Sequence, residues 1–400
     1  MKSRSEPLAL AEFIPMLALT VSLVAMSTDA MLPALGAIGT DLGVADSNHT
    51  QLIVTALFLG FGLGQLLVGP FSDSFGRKPV IFVGFAIFIT GCLISMLTEN
   101  FELMLLGRVL QGLGAAAPRV VPVAIVRDGY EGRAMARIMS FVMAVFILVP
   151  TIAPIIGQTI YLLSGWRAIF AFLAAMAVVA VFWFGLRQPE TLPPANRRPF
   201  SLAYIFAGLV EILATRSAVG YALCASLIFG VFMSYLGTAR QVFQDVYGTG
   251  TAFPYYFGAA AITIGFGAVS NAKLVMRFGM RRIAFLALLS ACALSSVFAL
   301  YVIATDALPP LTLYMAWLLA TFSCMGFLFG YMNALAMEHL GHIAGLGAAF
   351  VGSVSTLIAL PIGLAIGQVF DGGVSFLIVG FAGLTLGGLL IIRVTERRWG

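Results

Sequence analysis

Four hundred residues carry 22 Lys+Arg and 17 Asp+Glu, so 10% of the chain is charged, while 60% is apolar and the mean hydropathy is +1.02. Soluble domains are about a quarter charged and wear a polar shell, so the composition excludes a cytosolic enzyme, a nucleic-acid binder and a disulfide-built secreted module. Lipid is the main solvent, and the formal charge of +5 reports topology and contact with anionic lipid.

A spanning helix needs roughly 20 mostly apolar residues. Such stretches fall near 13–36, 50–71, 79–98, 102–126, 134–162, 167–186, 217–239, 252–272, 283–304, 311–337, 345–367 and 374–392. The first, preceded by Lys2, Arg4, Glu6 and Glu12, is too long for a signal peptide and lacks a small-residue cleavage site, so it reads as an uncleaved first helix. With the N-terminus inside, every Lys and Arg falls on an inner segment except Arg167 and Arg240 at outer ends and Arg108 and Arg119 within the fourth span. The asymmetry places both termini in the cytoplasm. Cys92, Cys224, Cys292 and Cys324 lie singly in separate spans and read as small core residues.

Taken in chain order, the first span holds Asp29, the one acid well inside an apolar stretch. Pro33 removes the hydrogen bond to the carbonyl four residues back, which is that of Asp29, so a kink is expected beside the buried acid. The second span carries Gly60, Gly62, Gly64 and Gly69 and leads into Asp73, Gly76, Arg77 and Lys78. In the fourth, Arg108, Gln111, Ala115 and Arg119 follow i, i+3, i+7, i+11 and share a face expected to line a wet cavity. Asp29 lies about 10 Å and Arg108 about 9 Å from the outer surface at 1.5 Å per residue, so antiparallel helices bring them to one level. Charge inside a bilayer is expensive and marks function by default. The bland alternative is an Asp29–Arg108 ion pair that only ties two helices together. Arg119 fits an anion or substrate contact about as well as a helix-end carbonyl. Pro150, Pro154 and Gly157 bend the fifth span, and Gly352, Pro361, Gly363 and Gly367 occupy the eleventh.

Residues 187–216 form the longest polar interruption, with Pro189, Pro193, Pro194 and Pro199 followed by an amphipathic helix over Ser201–Thr215 that suits the inner interface. It divides the spans six and six: a bundle over 1–190, a cytoplasmic linker with an interfacial helix over 191–216, and a bundle over 217–400. The halves echo each other in Phe75-Gly76-Arg77-Lys78 and Phe278-Gly279-Met280-Arg281-Arg282, and in Ile156-Gly157-Gln158 and Ile366-Gly367-Gln368. Two such repeats place a substrate site between the halves near the midplane. Phe232, Tyr235, Tyr255, Tyr256 and Asn333 are candidates for a lipophilic, adaptable pocket there.

The segment Gly69-Pro70-Phe71-Ser72-Asp73-Ser74-Phe75-Gly76-Arg77-Lys78 resembles the helix 2–3 loop signature of the major facilitator superfamily, and Arg108 to Ala116 resembles its helix 4 signature. Ala153-Pro154-Ile155-Ile156-Gly157 is similar to the helix 5 signature of its antiporters, with Gln158 in place of the second glycine and Ser74 in place of a loop arginine. Thr28 to Leu35 and Arg127-Asp128 ahead of Met139 to Met143 resemble the Bcr/CflA group of drug:proton antiporters. The resemblance implies an all-α fold of twelve transmembrane helices in two pseudo-symmetric bundles, in a bacterial inner membrane. It implies a proton-coupled efflux transporter that exports chloramphenicol- or bicyclomycin-like compounds by alternating access, working as a monomer without cofactor or metal. Asp29 and Arg108 then carry proton coupling. Asp29, Arg108, Gln111, Arg119, Tyr235 and Asn333 are candidates for substrate contact, and Asp73, Gly76, Arg77, Lys78, Pro154 and Gly157 form the gate.

A carrier of a defined polar or anionic metabolite is favoured by Arg119 and Arg240. A polytopic membrane enzyme needs a reactive cluster, and Glu338, His339 and His342 on a short loop are the only candidates; their spacing matches no metal motif.

Overall fold

The computed structural model describes residues 8–197 and 199–396. Lys2, Arg4, Glu6, Arg198, Arg397 and Arg398, on which part of the charge asymmetry rests, lie outside them, as does the side chain of Lys273.

Twelve long helices account for the apolar stretches. In chain order, α1 runs Leu10–Asp29 and resumes as Leu35–Asp41, α2 Leu52–Phe75, α3 Arg77–Leu97, α4 Phe101–Gly129, α5 Gly132–Ser164 and α6 Arg167–Arg187. The second set is α7 Arg216–Arg240, α8 Phe253–Phe278, α9 Met280–Thr305, α10 Leu311–Met337, α11 Ala344–Gln368 and α12 Ser375–Glu396. Among the described residues ten are long and apolar enough to cross a membrane, and α5 and α8 run 33 and 26 residues. The amphipathic linker helix, read over Ser201–Thr215, forms at Leu202–Ala214.

The break in α1 falls where Pro33 puts it. Regular helix ends at Asp29, a 3-10 turn covers Leu32–Ala34, and the chain then continues as helix to Asp41. The first span therefore extends past the expected end near residue 36, because the proline interrupts the ladder without ending the helix.

Packing within each set follows one plan. α1 packs on α4, α5 and α6, and α7 packs on α10, α11 and α12; α4 nests between α2 and α3 as α10 does between α8 and α9. Small residues set the closeness of these contacts. A methyl on Gly60 of α2 would run into the Val109 carbonyl, and one on Gly112 of α4 into the Leu57 carbonyl. The two sets meet along the seams α2–α11 and α5–α8.

The linker is anchored at both ends. Phe200 stacks on Phe71 of α2 with centroids 5.1 Å apart. At the far end, Ile212 joins Ala218, Leu340 and Ile343 in a small separate core.

Candidate functional site

Of the residues read as a gate, Asp73, Gly76, Arg77 and Lys78 assemble at the turn between α2 and α3. Gly76 takes φ +104°, which favours glycine, so α3 starts directly at Arg77. The Arg77 guanidinium is buried and gathers Asp73 at 2.6 Å, Asp128 of α4 at 2.8 Å and the Ser72 hydroxyl at 2.7 Å. Asp73 is thereby turned toward its own helix turn. The N-terminus of α3 is capped by Glu190, whose two oxygens accept from the backbone N–H groups of Arg77 and Lys78 at 3.0 Å each. Lys78 donates to the Gly185 carbonyl at 2.7 Å. Glu190 and Asp128 complete the polar cluster that Asp73, Gly76, Arg77 and Lys78 only outlined.

A second polar cluster lies deep between α1 and α4. Arg108 is fully buried and spreads its donors over three acceptors: the Ser27 carbonyl at 2.9 Å, the Ile53 carbonyl at 3.2 Å and Gln111 Oε1 at 2.5 Å. Gln111 passes a hydrogen bond on to Cys92 Sγ at 2.8 Å, and the guanidinium lies 5.8 Å from the Phe170 ring centroid. The expected depth match holds, since Arg108 meets α1 two residues before Asp29. Its partner there is the backbone, however. Asp29 is buried as well, and among the described residues no hydrogen bond or ion pair reaches its carboxylate. Tyr235 of α7 stands within electrostatic reach of it.

Beside this cluster, Gly157 of α5 lets α1 approach so closely that a methyl there would collide with the Ala30 carbonyl. Gly157 thus packs α5 on α1 within one bundle. Contact from α5 to the other bundle is made by Thr151, against Gly258, and by Gln158. Pro154 lies inside α5 between these contacts.

A cavity of about 800 Å³ opens on the face where α1 starts and α12 ends, walled by α2, α4, α10, α11 and the linker. Gln65, Arg119, Asn333 and Gly352 line its deeper part, and Asp73, Arg77, Arg127 and His342 its mouth. Of the helix 4 face read as cavity-lining, Arg119 reaches the cavity, but Arg108, Gln111 and Ala115 are buried in packed helix contacts. The reason is depth: Arg108 lies about 16 Å farther along α4, where α2 and α3 close around it. Tyr235 is also absent from the wall; it is buried, stacked on Phe257 at 5.7 Å and edge-on to Phe322 at 4.8 Å. Between cavity and deep cluster lie Phe58, Phe229, Phe232 and Phe329, whose rings touch across the bundles, Phe58 to Phe229 at 5.8 Å.

The opposite face is shut by neutral amides, which carry no charge to mark them in the sequence. Asn48 Nδ2 donates to the Phe370 carbonyl at 3.1 Å, and Gln368 Nε2 to the Asn48 carbonyl at 2.9 Å. Gln51 Nε2 donates to Gln241 Oε1 at 2.9 Å and to the Gly367 carbonyl at 3.0 Å, while Gln241 Nε2 donates to Asn48 Oδ1 at 2.8 Å. On the other seam Gln158 Nε2 donates to the Thr251 carbonyl at 2.7 Å. The repeated Ile-Gly-Gln was the one sequence signal for this seal: both glutamines reach a loop of the other bundle. Arg240 belongs to the same face, paired with Asp245 at 3.1 Å and lying against Gly36, not in the cavity.

The Glu338–His342 loop holds structural contacts. Glu338 pairs with Arg281 at 2.9 Å, His342 with Glu211 of the linker helix at 2.6 Å, and His339 lies 3.2 Å from the Ser217 hydroxyl. Among the described residues no group of three or more His, Cys, Asp or Glu is placed to hold a metal.

The sequence profile of the Major Facilitator Superfamily matches residues 17–363. An MFS-type transporter of Bacillus subtilis (strain 168), YdgK, is 31% identical over 400 residues, covering 99% of this chain and 97% of the relative. A bicyclomycin resistance protein homolog of Haemophilus influenzae is 32% identical over 274 residues, 67% of each chain. Among solved structures, the POT family transporter PepTSo superposes with a TM-score of 0.76 over 98% of this chain and 99% of its own, at 13% identity. That likeness concerns the fold alone.

Proposed function

The chain belongs to the Major Facilitator Superfamily, and from that premise we propose that it is a proton-coupled exporter of small amphipathic compounds of the chloramphenicol or bicyclomycin kind. It is a multi-pass membrane transporter, not an enzyme. Relatives that carry bicyclomycin, chloramphenicol and multidrug resistance in their names support the substrate range. The cavity, open on one face and sealed on the other, is one end state of an alternating-access cycle.

The observation that carries the coupling is the isolation of Asp29. Its carboxyl lies behind the aromatic barrier, away from the cavity, beside an Arg108 whose donors go to Ser27, Ile53 and Gln111. An acid among apolar side chains is held at least cost as the neutral form, whereas a guanidinium brought to it favours the carboxylate. α1 is broken directly after Asp29, so its two segments shift separately when the amide seal opens. Asp29 then takes a proton in one state and releases it in the other, and the proton gradient supplies the energy with no cofactor or metal. On this reading the termini and cavity mouth face the cytoplasm of a bacterial inner membrane, as the basic Arg77, Lys78, Arg127, Arg187 and Arg281 of that face support. One chain contains the whole path, and the working unit is a monomer in contact with lipid, substrate and protons.

The test is proteoliposomes holding the full chain, an internal pH probe and a panel of such compounds. Addition of a substrate is expected to move protons in the wild type, and Asp29→Asn to abolish that movement while the protein stays folded in the membrane. Full pH-driven transport in Asp29→Asn would sink the assignment.

A further inference from the structure

A groove of about 500 Å³ lies on the membrane-facing surface where the end of the linker helix meets α7 and α12, and it shares no lining residue with the cavity. Arg216, Val219 and Leu223 of α7 wall one side at i, i+3 and i+7, Leu390 and Val394 of α12 the other, and Leu213 closes the end at the linker. The two helices touch at its floor, where a methyl on Gly220 would run into Thr395. Above the floor Leu213, Leu223, Leu390 and Val394 stay exposed, so the groove is apolar over the roughly 10 Å from Arg216 to Leu223. Arg216 is exposed at the end where α7 begins and donates to the Val394 carbonyl at 3.1 Å; a guanidinium carries further donors on its other nitrogens. The acids nearest in sequence are engaged elsewhere. Glu211 pairs with His342 at 2.6 Å, Glu396 accepts from the Tyr221 hydroxyl at 2.8 Å, and neither lines the groove. On the linker helix, Phe206, Val210 and Leu213 form an exposed apolar stripe at i, i+4 and i+7 that leads into the groove, while Ile212 is buried against the protein.

We infer that this groove holds one anionic phospholipid, with its headgroup phosphate at Arg216 and an acyl chain lying along Val219 and Leu223 against Leu390 and Val394. The occupant follows from the surroundings and from charge. Acyl tails are as apolar as leucine, so they cover such walls in a bilayer, and the exposed stripe of the linker helix is what an interfacial helix presents to them. At the polar end the groove offers a cation and no lining carboxylate. A guanidinium makes charge-assisted hydrogen bonds to phosphate. A headgroup of net negative charge keeps that attraction whole, whereas a zwitterionic one sets its own ammonium against it. The lipid lies against the linker, α7 and α12 together, and its place is independent of what the cavity carries.

The experiment is photo-cross-linking of the full chain in phosphatidylethanolamine vesicles doped with either a phosphatidylglycerol or a phosphatidylcholine of the same acyl composition, each bearing a diazirine in one chain. Labelled residues are mapped by peptide mass spectrometry. Phosphatidylglycerol is expected to label residues 213–223 and 390–395 roughly fivefold more than phosphatidylcholine, the effect of one cation beside an anionic headgroup. Arg216→Gln is expected to bring the two lipids level, and Arg216→Lys, which keeps the charge, to retain most of the preference. Val219→Trp fills the groove and is expected to remove the label from both lipids. Equal labelling by the two lipids in the wild type overturns the inference, as does an unchanged preference in Arg216→Gln. A label no denser at these residues than along the rest of the lipid-facing surface also overturns it. The wild-type comparison decides on its own should a variant fail to fold.

Discussion

In α1 and α4 the interior holds Asp29, Arg108 and Gln111, whereas the helices in the equivalent packing positions, α7 and α10, present Phe232, Tyr235, Phe322 and Phe329 to their surroundings. The two solutions behave differently under displacement. A guanidinium hydrogen-bonded to two carbonyls and an amide has one good geometry, and leaving it strands each acceptor. Rings in tilted and edge-on contact keep most of their attraction as they slide, because their energy is spread over many weak contacts. The first bundle is therefore built to hold one geometry around its acid, and the second to adapt to what passes.

The largest expected effect falls on Arg108. Arg108→Met leaves Gln111 Oε1 without its donor and takes the guanidinium bonds from the Ser27 and Ile53 carbonyls, at about 1–3 kcal/mol for the stranded amide oxygen. Arg108→Lys keeps the charge, cannot reproduce the fork and is expected to fall between. The counterpart in the second bundle, Phe322→Met, changes shape more than polarity and is expected to cost less than about 1.5 kcal/mol. Thermal midpoints of the detergent-solubilised variants rank them. If Arg108→Met melts with or above Phe322→Met, the contrast between the bundles is broken.

These residues also mark how far sequence carries. The spans were legible because lipid demands long apolar runs, and Asp29, Arg108 and Arg119 stood out because charge there is rare. Asp73, Gly76, Arg77 and Lys78 were legible as a compact motif. Glu190 was not, since it meets the N–H groups of Arg77 and Lys78 from 113 and 112 positions away and its role depends on where the linker docks. Arg108's choice of the Ser27 carbonyl over Asp29 was equally hidden, because periodicity fixes depth and face but not which acceptor a long side chain takes. The amide seal was hidden for a third reason: Asn48, Gln51, Gln241 and Gln368 are uncharged and scattered, so only their pairing in space gives them meaning.

The next effect down separates backbone from side-chain obstacles. Gly157→Ala puts a methyl into the Ala30 carbonyl of α1, which cannot rotate away. Gly230→Ala on α7 meets Ile362 Cγ2 at 2.9 Å, a side-chain methyl with no backbone atom closer than 3.7 Å. Overpacking of the first kind costs about 1–3 kcal/mol, and it pushes α1 away beside the acid. Gly157→Ala is expected to lower substrate-driven proton movement severalfold, and Gly230→Ala to leave it within about twofold of wild type. Equal loss in both would mean that the second bundle is as geometrically constrained as the first.

The smallest effect is expected at Tyr235, and it tests the contrast most directly because this phenol is the second-bundle group in electrostatic reach of Asp29. Its hydroxyl is buried without a hydrogen-bond partner among the described residues, so Tyr235→Phe removes a polar atom that the fold does not use. Deleting such a group is neutral or mildly stabilising, since its desolvation is no longer opposed to folding. The ring remains and keeps its contacts with Phe257 and Phe322. The thermal midpoint should hold or rise slightly, and the pH dependence of transport should not move if, as proposed, Asp29 alone sets it. A displaced pH profile at unchanged stability would mean that the phenol bonds to the acid in another state of the cycle. Proton coupling would then span both bundles, and the division between a fixed half and an adaptable half would give way at that residue.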